Sequence, residues 1–556
     1  MYNLRSQVVV KGKVIDETMS SFGIRSIEYD LKKGFLLNGK HVKMNGVCLH
    51  HDAGSVGAAV PEAMWVRRLN ILKEMGCNAI RTSHNPMAPE FLDLCDRMGF
   101  LVQDEIFDEW TAGKVQYGYN KYFNTWSQHD LVNFIHRDRN HPSVVMWSAG
   151  NEIGEQKMEN GHEILKPLIE TFHREDNTRP VTTGNDNIAA DGGSAKLPFL
   201  EMLDIVGYNY VDRWHERREL FFDTDHHDHP NWKMVGTESV SISGVRGNYF
   251  GGNFFKVDSS VVRPANMSSV VRAEQLWKFV SSHDYVIGDF MWTGIDYLGE
   301  ARWPNKNASS GVIDLCGFPK DSYYFYQSQW TTKPMIHLFP HWNWSGKKGK
   351  VIPVMVYTNC DSVELFLNGK SFGMKSLEFP RQGNSGAWNR YDRPQVNTTT
   401  ADLHLMWDVP YEPGTLKAVG RKGGKIVHEE EIQTTGAPSG VRLSVDRNVI
   451  NADARDVVHI KVEIIDSDGR FVPDANNQVT VSVEKSGTLI GLDNGNPSDH
   501  TSMKSASRRV FNGLALAVVQ STTQAGVIRV KVSSPGLKDF TVEVSAKKAA
   551  VNIIGN

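Results

Sequence analysis

Arg137 to Glu152 reads RDRNHPSVVMWSAGNE, and the architecture turns on its middle. Ser143 to Ala149 is a short apolar run between Pro142 and Gly150. A run of this length between turn residues fits a strand buried on both faces better than a surface helix. It ends on Asn151 and Glu152, an amide and a carboxyl group placed where a buried parallel strand would open onto the rim of a sheet or barrel. In a (β/α)8 barrel, catalytic residues sit at that rim.

Seven further runs join Val144 to Ser148 as buried-strand candidates. They are Lys43 to Leu49, Cys77 to Thr82, Phe100 to Asp104, Pro180 to Thr183, Asp204 to Tyr208, Met234 to Thr237 and Val286 to Trp292. Helical spacing marks the stretches between: Pro61 to Met75 with Trp65, Leu69 and Leu72, then Ala88 to Met98, Ser127 to Arg139 and Gln156 to Arg174. Eight strands alternating with helices favour a (β/α)8 TIM barrel over an open doubly wound sheet. The first strand is followed by no Gly-rich phosphate loop, which counts against a dinucleotide fold.

The rest of the chain reads differently. A length of 556 residues exceeds one hydrophobic core, so three to four domains are expected. Residues 1–37 alternate as strands and run into Asn38-Gly39, a two-residue hairpin signal. They are expected to be the last strands of a truncated β-sandwich, or an extension packed on the next domain. The barrel is expected over 38–335. Hairpin signals at Asn368-Gly369, Gly423-Gly424 and Asp468-Gly469, with no helix-period segment between them, point to two all-β immunoglobulin-like sandwich domains, 336–437 and 438–556.

Composition narrows the class. A net charge of −3 supplies no basic field for nucleic acid and no polybasic membrane anchor. No apolar run of about 18 residues predicts a transmembrane helix, and no signal peptide is legible. Compartment and oligomeric state stay open. The five cysteines, Cys48, Cys77, Cys95, Cys316 and Cys360, are far apart and are expected to be buried thiols rather than zinc ligands or disulfides. Fourteen tryptophans and sixteen tyrosines suit a protein that covers sugar rings, although large folds bury many aromatics in any case.

Polar groups accumulate directly after the expected strands. Strand one is followed by His50, His51 and Asp52, strand two by Ser83, His84 and Asn85 after Arg81, and strand three by Glu105, Asp108 and Glu109 after Asp104. Asn151 and Glu152 follow strand four, Asn209 and Tyr210 strand six, Glu238 strand seven, and Asp296 and Glu300 come after Trp292 on strand eight. One such residue is more often a helix cap or a solvated loop side chain. Together they point to one rim. Two carboxylates suit glycoside hydrolysis, in which one protonates the leaving oxygen and the other stabilises or attacks the anomeric carbon. Glu152 and Glu238, on strands four and seven, would face one another across the barrel.

The segments NGVCLHHD (Asn45 to Asp52), RTSHNP (Arg81 to Pro86), DEIFDEW (Asp104 to Trp110), RDRNHPSVVMWSAGNE and GTES (Gly236 to Ser239) resemble the signatures of glycoside hydrolase family 2, and the chain is most similar to its bacterial β-galactosidases. The resemblance implies a catalytic barrel between β-sandwich domains and hydrolysis of β-glycosides with net retention. It makes Glu152 the general acid/base, Glu238 the nucleophile, and Asn151 the partner of the sugar 2-hydroxyl. Tyr210 would lie beside the nucleophile, His50 and His84 would contact the sugar, Arg81 would steady Glu238, and Trp292 would be the aromatic platform. His51 is left without a role. Glu152 is expected protonated at rest and Glu238 ionised, with the pair about 5 to 5.5 Å apart.

Two departures qualify the resemblance. Some members bind magnesium through carboxylates and a histidine after strand three; here Glu109 is followed by Trp110 and Thr111, so no tight catalytic metal and no required cofactor are expected. Lys306, in WPNKNASSG, is a candidate partner for a uronic acid carboxylate, or simply a solvated loop lysine. The stretch GVIDLCGFPKD (Gly311 to Asp321) resembles the galactosidase branch. The expected function is therefore a retaining exo-acting β-galactosidase acting on a β-linked oligosaccharide or polysaccharide. The alternatives are a β-glucuronidase or other β-glycosidase of the family, and a catalytically impaired carbohydrate-binding fragment.

Overall fold

The computed structural model describes residues 1–186, 188, 195–211, 220–242, 244–249, 267–377 and 403–548. The end of the expected last domain, 549–556, lies outside them, as do 378–402 of the first sandwich.

Eight parallel strands close into one barrel: β1 Met44–Leu49, β2 Ala79–Thr82, β3 Leu101–Glu105, β4 Val144–Asn151, β5 Val181–Asp186, β6 Val206–Asn209, β7 Met234–Ser239 and β8 Val286–Met291. The eight expected strands are these eight. A helix follows each strand: α1 Glu62–Glu74, α2 Pro89–Met98, α3 Asn120–Asp138, α4 Gly161–Glu175, α5 Leu197–Leu200, α6 Leu220–Asp228, α7 Met267–Ser282 and α8 Asp321–Trp330. α5, α6 and α8 carry no clear apolar period in sequence, and only tertiary packing reveals them. The quoted strand is longer than expected. β4 runs to Asn151 with every residue buried, because Asn151 and Glu152 still bond across to their neighbours, Asn151 N to Phe107 O at 3.2 Å and Glu152 N to Gly184 O at 2.7 Å. The expected helix 156–174 is split by a turn at Asn160, after a 3-10 segment Gly154–Lys157.

The barrel has two apolar layers. Outward-facing Val47, Ile80, Val102, Val144 and Trp147 pack with Leu131, Phe134, Leu168 and Phe172 of the helices. Inward-facing Met44, Cys48, Leu101, Val145, Ile205, Val235 and Phe290 fill the lumen. Phe35, fully buried, closes the floor. It belongs to a small antiparallel sheet of Ile27–Asp30, Gly34–Leu37 and Lys40–His41, so the boundary expected at 37 falls inside that sheet. Arg25 Nε donates to Pro142 O at 2.6 Å and the Tyr29 hydroxyl to Val145 O at 2.8 Å, fastening this segment to the entry of β4. Residues 2–22 form a separate hairpin, Tyr2–Val10 with Lys13–Phe22, exposed along its length.

Beyond the barrel lie two sandwiches. In the first, Ile336–Phe339, Val351–Thr358 and Leu405–Pro410 face a four-stranded sheet across Trp342, Val354, Leu365, Trp407 and Leu416. Asn368 and Gly369 have φ of 50° and 81°, the left-handed pair that a tight hairpin of matching twist requires. The second pairs a four-stranded with a five-stranded sheet around Ile460, Val462, Val481, Ala517 and Val530. All five cysteines are free and buried. Among the described residues no helix is long and apolar enough to cross a membrane.

Candidate active site

The ends of six strands converge on Arg81, the last residue but one of β2, which is fully buried. Its Nη2 donates to Glu105 Oε2 at 2.8 Å and to Asn151 Oδ1 at 2.8 Å, and its Nη1 donates to Glu238 Oε2 at 2.9 Å and to Thr237 O at 3.0 Å. One guanidinium thus ties β3, β4 and β7 together. Gly184 on β5 makes room for it: a Cβ there would come within 2.7 Å of Arg81 Nη2 and 2.9 Å of Asn151 Oδ1.

Glu105 is the buried counter-charge. It accepts from Arg81, from the Ser148 hydroxyl at 2.6 Å and from His84 Nδ1 at 2.7 Å. Burial by itself would raise its carboxyl, but the Arg81 guanidinium, His84 and Ser148 overcome that and bring it down to about 2. His84 Nε2 lies 3.3 Å from Asn151 Nδ2.

The two glutamates expected to do the chemistry lie on either side of Asn209. Its Nδ2 is 3.0 Å from Glu152 Oε1, 3.1 Å from Asn151 Oδ1 and 3.4 Å from Glu238 Oε2, while its Oδ1 accepts from the Thr237 hydroxyl at 2.7 Å. Two protons serve three acceptors, so the Glu238 contact is the long one. Two oxygens in reach of one nitrogen are no farther apart than those two bonds laid end to end. Glu152 is partly exposed and Glu238 is 4% exposed. Burial raises the Glu238 carboxyl; Arg81 opposes it, Glu152 adds to it, and His84 and a hydrogen bond from Tyr210 oppose it again. The net direction is upward, opposite to that expected from the charged partner alone, because burial outweighs Arg81.

The remaining expected residues form one wall. The Trp292 ring lies parallel to His84, 5.2 Å between centroids at 4°, and edge-on to His50 at 5.3 Å. His50 in turn packs on Tyr297 at 3.9 Å. Its Nδ1 is buried without a protein partner, and burial, then His84 and Arg81, lower its pKa to about 3, so it is neutral. Tyr210, at φ 53°, donates its backbone N–H to Glu238 O. His51 turns away to Met87 and Trp65. Both oxygens of Glu109 accept backbone N–H groups, from Lys114 and from Asn120. Asp296 is buried against Lys320 at 2.8 Å and braces a loop, and burial raises its carboxyl to about 7 despite that lysine. Lys306 is neither solvated nor free: its ammonium pairs with Asp493 of the last sandwich at 2.8 Å. Glu105 and Asn209 were legible as rim residues, but nothing in the sequence marked them, or Tyr297, as the partners that hold the site together.

Residues 30–231 match the model described as the TIM barrel domain of the family 2 glycosyl hydrolases, residues 441–543 match glycoside hydrolase family 2 C-terminal domain 5, and residues 349–428 match a domain of unknown function. A β-galactosidase of Bacteroides ovatus is 38% identical over 99% of this chain, which spans 66% of that protein. A β-glucuronidase of Formosa agariphila is 26% identical over 98% of this chain, which spans 52% of it. A crystal structure of a β-glycosidase from Bacteroides vulgatus superposes with a TM-score of 0.84 at 35% identity, covering 98% of this chain and 69% of that one. With the closed barrel and both family domains in place, the chain belongs to glycoside hydrolase family 2.

Proposed function

We propose that the protein is a retaining exo-acting glycoside hydrolase that removes terminal β-galactosyl residues. The observation that carries this reading is the single amide of Asn209 within hydrogen-bond reach of both Glu152 and Glu238. That shared reach supports the close spacing of a retaining pair, whose carboxyl groups lie about 5 to 5.5 Å apart.

Glu238 attacks the anomeric carbon while Glu152 gives a proton to the departing oxygen. The C–O bond to the leaving group breaks as the glycosyl–Glu238 ester forms. Water, deprotonated by the same Glu152, then releases the sugar and restores Glu238. Arg81, Asn209 and Tyr210 all donate toward Glu238 and favour its ionised form against the burial that raises it. Asn151 keeps one amide proton for the sugar 2-hydroxyl, a contact that strengthens as the oxocarbenium-like state forms. The unpartnered Nδ1 of His50 is suited to a sugar hydroxyl.

For the sugar, the identity to a β-galactosidase is supported by the commitment of Lys306 to Asp493, which removes the cation wanted by a uronic acid. A β-glucuronidase is the second reading, favoured by the 26% relative. A panel of nitrophenyl β-glycosides on the wild type and Glu238→Gln tests both. Turnover of the β-galactoside, lost in the variant, is expected; turnover of the β-glucuronide alone favours the second reading. A folded protein that binds galactosides without turning any over would be the impaired binding fragment.

A further inference from the structure

We propose that Trp303, held by the last sandwich domain, is the platform on which the leaving-group sugars of an oligosaccharide substrate stack. This rests on the glycosidase reading above and adds the part of the substrate that the barrel rim does not reach.

The loop after β8 begins in the site. Tyr297 packs on His50 at 3.9 Å and edge-on to Trp292 at 5.7 Å, and Ala308 N bonds back to Tyr297 O at 3.0 Å. The base of the loop is thus part of the site wall. Its tip is a turn, closed by Asn305 N to Arg302 O at 2.8 Å. On that turn Trp303 is 84% exposed, more than any other large apolar side chain among the described residues. It stands six positions after Tyr297, so it lies within roughly 20 Å of the wall even along a fully extended chain.

A lone exposed tryptophan is ordinary. This one is fixed from a second domain. His500 of the last sandwich stacks on the indole, 4.9 Å between centroids at 29°, and its Nε2 is 2.7 Å from Pro304 O. The Ser498 hydroxyl donates to Asn305 Oδ1 at 2.9 Å, Lys306 N donates to Pro497 O at 2.7 Å, and the Lys306 ammonium pairs with Asp493, which a fully buried Arg508 also grips. His500 stacks against part of one face of the indole, and most of the ring is left to water. A rigid indole with one open face matches the apolar C–H face of a pyranose, and leaves the sugar hydroxyls in solvent.

The test compares kcat/KM for the preferred nitrophenyl glycoside with that for β-1,3-, β-1,4- and β-1,6-linked oligosaccharides of two to four sugars ending in the same residue. Trp303→Ala is expected to keep nitrophenyl turnover within about twofold and to lose roughly tenfold on the oligosaccharides, mainly in KM. His500→Ala should lose part of that, and His500→Phe, which keeps a ring against the indole, should restore most of it. The proposal is overturned if Trp303→Ala affects both substrate types equally or neither, or if the wild type cleaves the nitrophenyl glycoside and no oligosaccharide. A wild type inactive on every nitrophenyl glycoside would overturn the glycosidase reading instead, and this platform with it.

Discussion

Arg81 and Glu105 form a two-pronged ion pair, Nε to Oε2 at 3.1 Å and Nη2 to Oε1 at 3.1 Å, with neither side chain exposed to water. Such a pair contributes little beyond a well-packed apolar pair of equal volume, but removing one partner strands a charge in a medium that cannot solvate it. Arg81→Met is therefore expected to destabilise the barrel by about 3–5 kcal/mol. Urea unfolding would read the loss, and Glu105→Gln in the same chain should recover part of it. A single variant as stable as the wild type would show that the pair is not needed for folding.

The same pair sets an acid limit. The Glu105 carboxyl sits at about 2 in the folded chain, below the roughly 4.3 of an unfolded glutamate. A group depressed in the native state contributes its stability in full above the unfolded value and loses it as pH falls toward the folded one. The contribution should fade between about pH 4.3 and 2. Glu105→Gln, less stable at neutral pH, should show a flatter decline across that window; an identical decline would place the acid sensitivity elsewhere.

Asn209 sits between Glu152 and Glu238. Asn209→Ala is expected to lower kcat/KM by roughly 10- to 100-fold through lost positioning. Asn209→Asp sets a third carboxyl where the amide reached both others, and like charges raise one another's pKa. The acid limb of the kcat/KM profile should then move to higher pH by about one unit relative to the wild type. An unmoved limb would mean that Asn209 does not face the titrating pair.

The roles of the two glutamates separate with a good leaving group. Dinitrophenolate departs without help from an acid, so Glu152→Gln should still form the glycosyl ester and release a burst of one equivalent before stalling. Glu238→Gln should show no burst and lose about three orders of magnitude or more in kcat. A burst from Glu238→Gln would reverse the assignment.

Much of this was legible because burial on both faces leaves a mark in sequence. A parallel strand covered by helices outside and by its neighbours inside must be apolar throughout, so the eight runs stood out, and the residues that end them had to be rim residues. The helices α5, α6 and α8 left no such mark. α6 mixes LFF with DTDHHD, and α8 is a run of aromatics and polar residues, DSYYFYQSQW. Their helicity is imposed by the strands they connect.

The sequence by itself determined the strand count, the rim, and the two carboxyl groups that end β4 and β7, since each depends on local pattern or on motif order. Only the tertiary structure decided what each rim residue is for. Arg81 looked like the partner of Glu238 and proved to be shared with Glu105 and Asn151, which lie 24 and 70 positions away and meet it only when the barrel closes. Lys306 changed most, from a candidate sugar contact to one end of an ion pair with Asp493, 187 positions on. A charge is assigned by what lies within a few ångströms of it, and along this chain those neighbours are brought together by barrel closure and by the docking of the last sandwich.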